Sequence, residues 1–263
     1  MSQASEEPIL LREERDGIVR LTLNRPRARN ALSLAMMEAL LGALETIRAD
    51  PAARVVILAG AGPGFCAGHD LKELRARPER PFYERTFATC ARLMQTILAL
   101  PQPVIARVHG VATAAGCQLV ATCDLAVAAE TARFATPGVN IGLFCSTPMV
   151  ALARNVGRKA AMEMLLLGEL VDAPTAKSLG LVNRVVPDDR LDAEVDAMAR
   201  TIASKSPLTL KIGKEAFYRQ LELPVAEAYA YTARVMTENM LARDAAEGID
   251  AFLEKRTPVW CGA

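Results

Sequence analysis

The sequence is poor in the residues that mark several large classes of protein. Aromatic side chains make up only 5% of its 263 residues, and 31 basic side chains face 30 acidic ones, for a formal net charge of +1. Nucleic-acid surfaces need a concentrated basic excess, and single-strand binders need aromatic platforms. No apolar run reaches the ~18–20 residues of a membrane span. We therefore expect no nucleic-acid partner and no membrane span.

Metal-ligating residues are scarce as well. The chain has two histidines, His69 and His109, and its six cysteines form no CxxC pair, so no metal site is expected. Residues 1–8 are polar and acidic, which is typical of neither a secretory signal nor an Arg-rich transit peptide. Free thiols and this N-terminus favour a cytoplasmic protein in which most cysteines are small core residues.

Apolar residues are abundant, at 51% of a chain long enough to bury a substantial core. Strands alternate with helices and are followed by a nearly all-helical stretch from residue 148 onward, which predicts an α/β core over residues 1–206 and a C-terminal helical region over residues 207–263. The pattern predicts a hairpin of residues 9–14 and 18–23, helices over 33–50 and 81–100, and strands over 54–59, 104–108 and 125–129.

A glycine-rich loop follows the strand that ends near residue 59. Gly60, Gly62 and Gly64 suggest a dinucleotide-binding loop, whose fingerprint is GxGxxG at the start of a helix. Here the third glycine comes one position early, Pro63 interrupts the motif, and no acidic residue ends the next strand. A nucleotide-binding protein is therefore a competing but disfavoured hypothesis.

Two other segments combine small residues with the predicted start of a helix. They are residues 65–74 (FCAGHDLKEL) and residues 109–119 (HGVATAAGCQL). The first N–H groups of a helix have no partner within the helix. Two such groups that converge on one carbonyl oxygen form an oxyanion hole, and small side chains allow the carbonyl to approach the backbone.

At these two segments the chain resembles the enoyl-CoA hydratase/isomerase (crotonase) superfamily, and the resemblance extends over nearly the whole sequence. It implies an α/β crotonase (ClpP-like) fold of repeated ββα units with a C-terminal helical trimerisation region, assembled as a homotrimer or as a hexamer of two trimers. Further matching motifs are residues 23–32, 123–128, 134–142 and 248–256.

The resemblance also implies an acyl-CoA thioester as the substrate, with coenzyme A as part of that substrate and no separate cofactor. The backbone N–H groups of His69 and Ala115 would form the oxyanion hole. Phe252 and Lys255 would reach over from a neighbouring subunit. The substrate-binding positions implied by the family are Arg27, Arg29, Ala31, Ala67, Asp70, Leu71, Lys72, Gly116, Asn140, Phe252 and Lys255.

Two positions depart from the family pattern. Hydratases of the family use two glutamates as acid and base, and this chain has Gln118 and Gly138 at those positions. We therefore expect a lyase- or isomerase-type enzyme of fatty acid metabolism that stabilises a thioester enolate but hydrates weakly or not at all. The alternatives are a non-catalytic acyl-CoA binder and another crotonase reaction such as thioester hydrolysis.

Four other side chains are candidates to replace the missing acids: the imidazoles of His69 and His109, the carboxyl of Glu84 and the thiol of Cys145. Each has a structural alternative, as a packed or surface residue. The methionines Met36, Met37, Met149, Met162 and Met164 are expected on the core faces of helices.

Overall fold

The computed structural model describes residues 7–263, so the expectation drawn from the N-terminus rests largely on residues outside the described range. The predicted hairpin is confirmed, with its turn at Asp16-Gly17. The strands of this part of the chain are β1 (Leu10–Arg15), β2 (Ile18–Leu23), β3 (Val55–Gly60), β4 (Val104–Val108), β5 (Val111–Thr113), β6 (Leu125–Ala129), β7 (Arg133–Ala135), β8 (Val171–Asp172) and β9 (Arg184–Val186).

The strands form two sheets. Six strands pair in the order β1-β2-β3-β4-β6-β9, and only the β1–β2 hairpin is antiparallel. Because β3 is central and covered on both faces, all six of its residues are buried, which explains its unbroken apolar sequence VVILAG. The remaining strands form a small sheet in the order β5-β7-β8, beside the end of β4.

Polar caps and prolines set the ends of several helices. Ser33 and Asp70 each accept a hydrogen bond from the first turn of the helix that follows them. The helices are α1 (Leu34–Ala49), α2 (Leu71–Ala76), α3 (Arg80–Leu98), α4 (Ala115–Thr122), α5 (Pro148–Asn155), α6 (Arg158–Leu167), α7 (Ala173–Ser178), α8 (Leu191–Ala203), α9 (Pro207–Gln220), α10 (Val225–Met240) and α11 (Arg243–Glu254).

The large sheet lies between two helical layers. Alternate residues of β3 point to opposite faces: Val56 and Leu58 join the main core with α1, α3 and α4, whereas Val55 and Ile57 pack with α8. The observed α/β architecture agrees with the prediction.

The C-terminal helices dock on this core through a buried polar cluster. The Nζ of Lys214 on α9 lies 2.6 Å from an oxygen of Asp124, and the Tyr218 hydroxyl donates to the other oxygen at 2.8 Å. Lys214 also donates to the carbonyls of Ile97 and Gln102. The division at residue 206 predicted from the sequence falls at the start of α9, where Ser206 caps the helix.

Two expectations about the second half of the chain are wrong. The stretch after residue 148 is not nearly all helical, because β8 and β9 complete the two sheets there. Met149 and Met162 are exposed, whereas Met36, Met37 and Met164 are buried as predicted. Within residues 7–263, no helix combines the length and apolar character that a membrane crossing requires.

Candidate active site

The two glycine-containing segments singled out in the sequence lie against each other. The N–H of Thr113 donates to the carbonyl of Cys66 at 2.9 Å, and the N–H of Cys66 donates to the carbonyl of Val111 at 3.1 Å. A Cβ built on Gly116 would lie 2.1 Å from the Cys66 oxygen, so only glycine allows α4 to approach this closely.

The backbone around residue 68 comes equally close to the start of α4. A Cβ built on Gly68 would lie 2.8 Å from the Cβ of Ala114 and 3.2 Å from the nitrogen of Ala115. Gly68 has a φ of +95°, a conformation that residues with a side chain rarely adopt. His69, the next residue, is therefore held beside the first residue of α4.

The backbone N–H groups of His69 and Ala115 share an unusual state. Within residues 7–263, neither donates a hydrogen bond to another protein group. Ala115 is completely buried. An unpaired buried N–H costs free energy, and most folded proteins avoid it. The two N–H groups, on adjoining segments, therefore form a pair of free donors, of which that of Ala115 belongs to a fully buried residue.

Ala114, the residue before α4, has a strained backbone. Its φ is 49° and its ψ is −120°, a combination that favours glycine. The N–H of Ala114 donates to the carbonyl of Ala135 at 2.9 Å, which fixes the turn against β7. A strained backbone of this kind persists only where surrounding contacts hold it in place. Such residues are common near functional sites.

Gln118 lies one turn into α4 and is buried. Its Oε1 accepts a weak hydrogen bond from the Sγ of Cys90 on α3 at 3.9 Å. A neutral amide in this position can orient a polar group but has no proton-transfer function near neutral pH.

Gly138 lies in the loop after β7, and the space beside it is filled. A Cβ at this position would lie 2.6 Å from the Leu143 oxygen and 2.9 Å from the Sγ of Cys145. Cys145 is itself buried, and burial raises the pKa of its thiol. The loop therefore closes over the position at which the resemblance places the family's second glutamate.

The imidazole of His69 is enclosed without partners. Both ring nitrogens are buried, and within the described residues neither has a hydrogen-bond partner. The ring packs edge-on against Phe87 of α3, with a centroid distance of 5.4 Å. Burial lowers the pKa of this histidine, with an opposing contribution from the backbone of Leu32, so the ring is neutral at neutral pH.

Hydrogen bonds of Arg25, which the sequence did not predict, hold the segment around Asp70 in place. Arg25 donates to Asp70 at 3.0 Å and to the carbonyl of Ala31 at 3.0 Å. This ion pair and the hydrogen bonds of the α2 N-terminus hold the pKa of Asp70 below its usual range, against burial, which raises it. Residues 25 and 70 are too far apart in sequence for any local pattern to reveal the pair.

The predicted substrate-binding positions divide into two groups. Those near residue 69 lie together: the Leu32 N–H donates to the Gly68 carbonyl at 2.8 Å, and the Ala67 N–H donates to the Arg29 carbonyl at 3.0 Å. This group consists of Arg27, Arg29, Ala31, Ala67, Asp70, Leu71, Lys72 and Gly116, of which Arg27, Arg29, Leu71 and Lys72 are exposed.

The other predicted positions lie elsewhere in the chain. Phe252 and Lys255 are exposed on or next to α11, which packs on α9 and α10. Asn140 is exposed, and its amide donates to the carbonyl of Gly168 at 3.3 Å. Within the described residues, no side-chain hydrogen bond or ion pair links these three residues to the segments that carry the free N–H pair.

Three of the candidate replacements for the missing acids have structural roles. His109 shares a hydrogen bond with Arg107 at 2.8 Å and another with the carbonyl of Gly62 at 2.8 Å. Glu84 is exposed and pairs with Arg80 at 2.8 Å. Cys145 is enclosed against Gly138, with the raised pKa described above.

The glycine-rich loop at residues 60–64 has no helix at its end. The Asn30 amide donates to the carbonyls of Ala61 and Gly64 at 2.8 and 2.9 Å, and α2 begins only at Leu71. A phosphate-binding loop presents free N–H groups at a helix start, so this geometry opposes nucleotide binding.

Other parts of the described chain are less suited to bind a ligand of this kind. Within residues 7–263, no three His, Cys, Asp or Glu side chains lie close enough together to hold a metal ion. A cavity of about 450 Å³ lies between the end of α3 and α9, and neither His69 nor Ala115 lines it. The free N–H pair is therefore the feature best suited to bind a carbonyl oxygen.

Comparison with known proteins supports the sequence resemblance over the full length of the chain. The chain is 47% identical to enoyl-CoA hydratase domain-containing protein 3, mitochondrial, of Xenopus laevis, over 98% of this chain and 88% of that protein. The human protein of that name is 49% identical over 93% of this chain and 81% of its own length.

Solved structures confirm the crotonase fold. The crystal structure of an enoyl-CoA hydratase from Mycobacterium smegmatis superposes with a TM-score of 0.95 at 58% identity, covering 97% of this chain and 99% of that one. The crystal structure of human enoyl-CoA hydratase domain-containing protein 3 gives a TM-score of 0.94 at 47% identity, covering 96% and 100%.

These comparisons correct the expected cellular location and confirm the expected family. The expected cytoplasmic location is contradicted, because five relatives, at 45–49% identity, are named as mitochondrial proteins. The family resemblance drawn from the motifs is confirmed by a sequence profile described as "Enoyl-CoA hydratase/isomerase", which matches residues 13–263. The chain belongs to the enoyl-CoA hydratase/isomerase family.

Proposed function

We propose that this protein binds an acyl-CoA thioester and stabilises negative charge on the thioester oxygen with the backbone N–H groups of His69 and Ala115. The observation that supports this most is the pair of unpaired N–H groups on two segments held together by Gly68 and Gly116. Each donor that meets a developing oxyanion lowers the barrier by about 3 kcal/mol in enzymes of this kind.

The exposed basic residues near this pair suit the coenzyme A part of the ligand. Arg27, Arg29 and Lys72 are exposed on the segments that flank Gly68. Their side chains supply positive charge for phosphates, and Leu71 supplies apolar surface beside them. Phe252 and Lys255 would complete the site from a neighbouring subunit of a trimer or hexamer.

Hydration is not part of the proposal. Addition of water to a double bond requires a base and an acid, and Gln118 and Gly138 supply neither. The filled space beside Gly138 also leaves little room for a water molecule at that position. A reaction that passes through an enolate without adding water is favoured, with a non-catalytic acyl-CoA binder as the second candidate.

A pair of ligands tests the proposed oxyanion hole. Butyryl-CoA has a thioester carbonyl, and its thioether analogue S-butyl-CoA lacks that oxygen but keeps the rest of the molecule. Isothermal titration calorimetry should show about tenfold tighter binding of the thioester, since two hydrogen bonds together are worth at least ~1.4 kcal/mol. Equal affinities would contradict the oxyanion hole, and no binding of either ligand would contradict the acyl-CoA site as a whole.

A further inference from the structure

The side chain of His69 has no role in the proposed oxyanion hole. Only its backbone N–H serves the hole, yet the imidazole is held inward with both nitrogens buried and unpaired within the described residues. Leaving buried polar atoms unpaired costs free energy, and an apolar side chain at this position would avoid that cost.

The imidazole and Gln118 contact the same face of α3. His69 packs on Phe87, and Gln118 accepts from Cys90, which is three residues further along the helix. Residues three apart on a helix lie about 5–6 Å from each other. The ring of His69 and the amide of Gln118, at the position where the resemblance places the family's first glutamate, therefore contact residues of α3 that are one helical turn apart.

The groups around the ring leave it uncharged and without a competing acid. On α2, Asp70 is paired with Arg25, and Glu73 accepts from the Leu34 N–H. On α3, Glu84 is paired with Arg80, and Arg85 with Glu38. On α4, Gln118 is a neutral amide that accepts from Cys90. The ring is thus a titratable group with both nitrogens buried, next to the free N–H pair, and it has no hydrogen-bond or ion-pair partner within the described residues.

We propose that the imidazole of His69 is a catalytic base that moves a proton between the α- and γ-carbons of a β,γ-unsaturated acyl-CoA. This inference rests on the proposed function, since the same residue's N–H would hold the thioester oxygen. One group that first accepts and then returns a proton is sufficient for this reaction, whereas hydration requires two.

The proton and electrons balance within the substrate and the ring. A ring nitrogen takes the α-proton, the C–H electron pair forms a carbon–carbon double bond to the carbonyl carbon, and the carbonyl π pair moves to oxygen. The imidazolium then returns the proton to the γ-carbon: the β,γ π pair forms the new C–H bond, the π pair between the α-carbon and the carbonyl carbon becomes the α,β double bond, and the oxygen electron pair restores the carbonyl. The product is the α,β-unsaturated thioester, and nothing is oxidised or reduced.

Phe87 must move for the substrate to reach the ring. It covers the imidazole in edge-on contact and is itself 40% exposed, so solvent borders the side into which it would have to turn. The acyl chain would then take the place of the aromatic ring, which preserves the apolar surroundings that keep the imidazole neutral.

The test uses vinylacetyl-CoA, whose isomerisation gives crotonyl-CoA and is followed by absorbance and by deuterium incorporation in D₂O. The variant His69→Gln keeps the backbone N–H and removes the base. It should slow isomerisation at least about 100-fold, as loss of general base catalysis does, while the affinity for butyryl-CoA stays within about threefold. The wild-type rate should fall with acidification only below about pH 6.5, the ordinary pKa of histidine, because burial lowers that of His69.

His109→Gln is the matched control, since its ring is already paired with Arg107 and Gly62. Its isomerisation rate should stay within about threefold of the wild type.

If His69→Gln does not fold, His69→Ala gives the same comparison at position 69. Isomerisation by a position 69 variant within tenfold of the wild type would overturn the proposal, as would wild-type protein that binds butyryl-CoA but does not isomerise vinylacetyl-CoA. Wild-type protein that binds no butyryl-CoA would overturn the proposed function as well.

Discussion

The sulfur of Cys145 lies next to the point where a side chain at position 138 would begin: a Cβ built on Gly138 would stand 2.9 Å from Sγ and 2.6 Å from the Leu143 oxygen. Contacts this short do not occur without movement of the loop. The backbone of this loop therefore leaves no space for a side chain at position 138, where the resemblance places the family's second glutamate.

Gly138→Glu should not produce a hydratase. We expect a loss of about 1–3 kcal/mol in the free energy of unfolding from overpacking, with no gain in hydration of crotonyl-CoA. Urea unfolding and loss of crotonyl-CoA absorbance measure the two effects. Gly42→Ala is the control, because a Cβ there has no neighbour within 4 Å and the change should be neutral or stabilising. Appearance of hydration in the Gly138 variant would contradict this interpretation of the loop.

Ala114→Gly should stabilise the protein. The φ of 49° at this residue costs an alanine about 1–2 kcal/mol, and the greater freedom of glycine in the unfolded chain offsets part of the gain. We expect a net increase of about 0.5–1 kcal/mol in the free energy of unfolding. Ala121→Gly, within α4, should do the opposite, because glycine is unfavourable inside a helix. A destabilised Ala114 variant would show that the backbone there is not strained.

Local patterns were sufficient to predict much of the fold. The Asp16-Gly17 turn, the strands β4 and β6, and the helix capped by Ser33 are all encoded by neighbouring residues, and each was predicted within two residues of its observed ends. The apolar run of β3 was predicted one residue early at each end, since periodicity does not fix where a buried strand begins.

The parts that escaped prediction depend on contacts distant in sequence. The strands β8 and β9 are two and three residues long and exist because β7 and β6 offer open edges, so their own sequences carry little signal. The Arg25–Asp70 pair and the space beside Gly138 are likewise products of the assembled fold. The two segments of the proposed oxyanion hole were recognisable in the sequence because small residues before a helix are themselves a local pattern.

Lys214→Met should strongly destabilise the protein. Lys214 and Asp124 are both largely buried, and removing the ammonium leaves the carboxylate without its charge partner. Such a loss costs about 3–5 kcal/mol. Chemical denaturation measures it, with Lys211→Met as the control on an exposed position of the same helix, expected within about 0.5 kcal/mol of the wild type. Similar stabilities for the two variants would show that α9 does not depend on this pair.

Asp192 should contribute stability that is lost in acid. Hydrogen bonds from Arg107, and then from Arg20, lower the pKa of its carboxyl to about 2. Because the folded pKa lies below the unfolded value, the contribution is complete above about pH 4 and disappears as the pH falls towards 2. Asp192→Asn should cost about 1 kcal/mol at pH 7, since a half-exposed pair is screened by water.

Urea unfolding of wild type and variant at pH 7 and near pH 2 provides the measurement. The exposed Asp250→Asn serves as the control and should show no such difference between the two conditions. A cost of Asp192→Asn that is the same at both pH values would rule out the proposed linkage to this carboxyl.

The preference for butyryl-CoA over S-butyl-CoA in Ala115→Pro tests the oxyanion hole most directly. Proline is tolerated at the first position of a helix; it removes the N–H and places a ring carbon on the nitrogen, beside Gly68. The preference should fall from about tenfold in the wild type to about threefold or less, and remain in Arg158→Pro, the same change at the start of α6. An unchanged preference in folded Ala115→Pro would contradict the assignment of this N–H to the thioester oxygen.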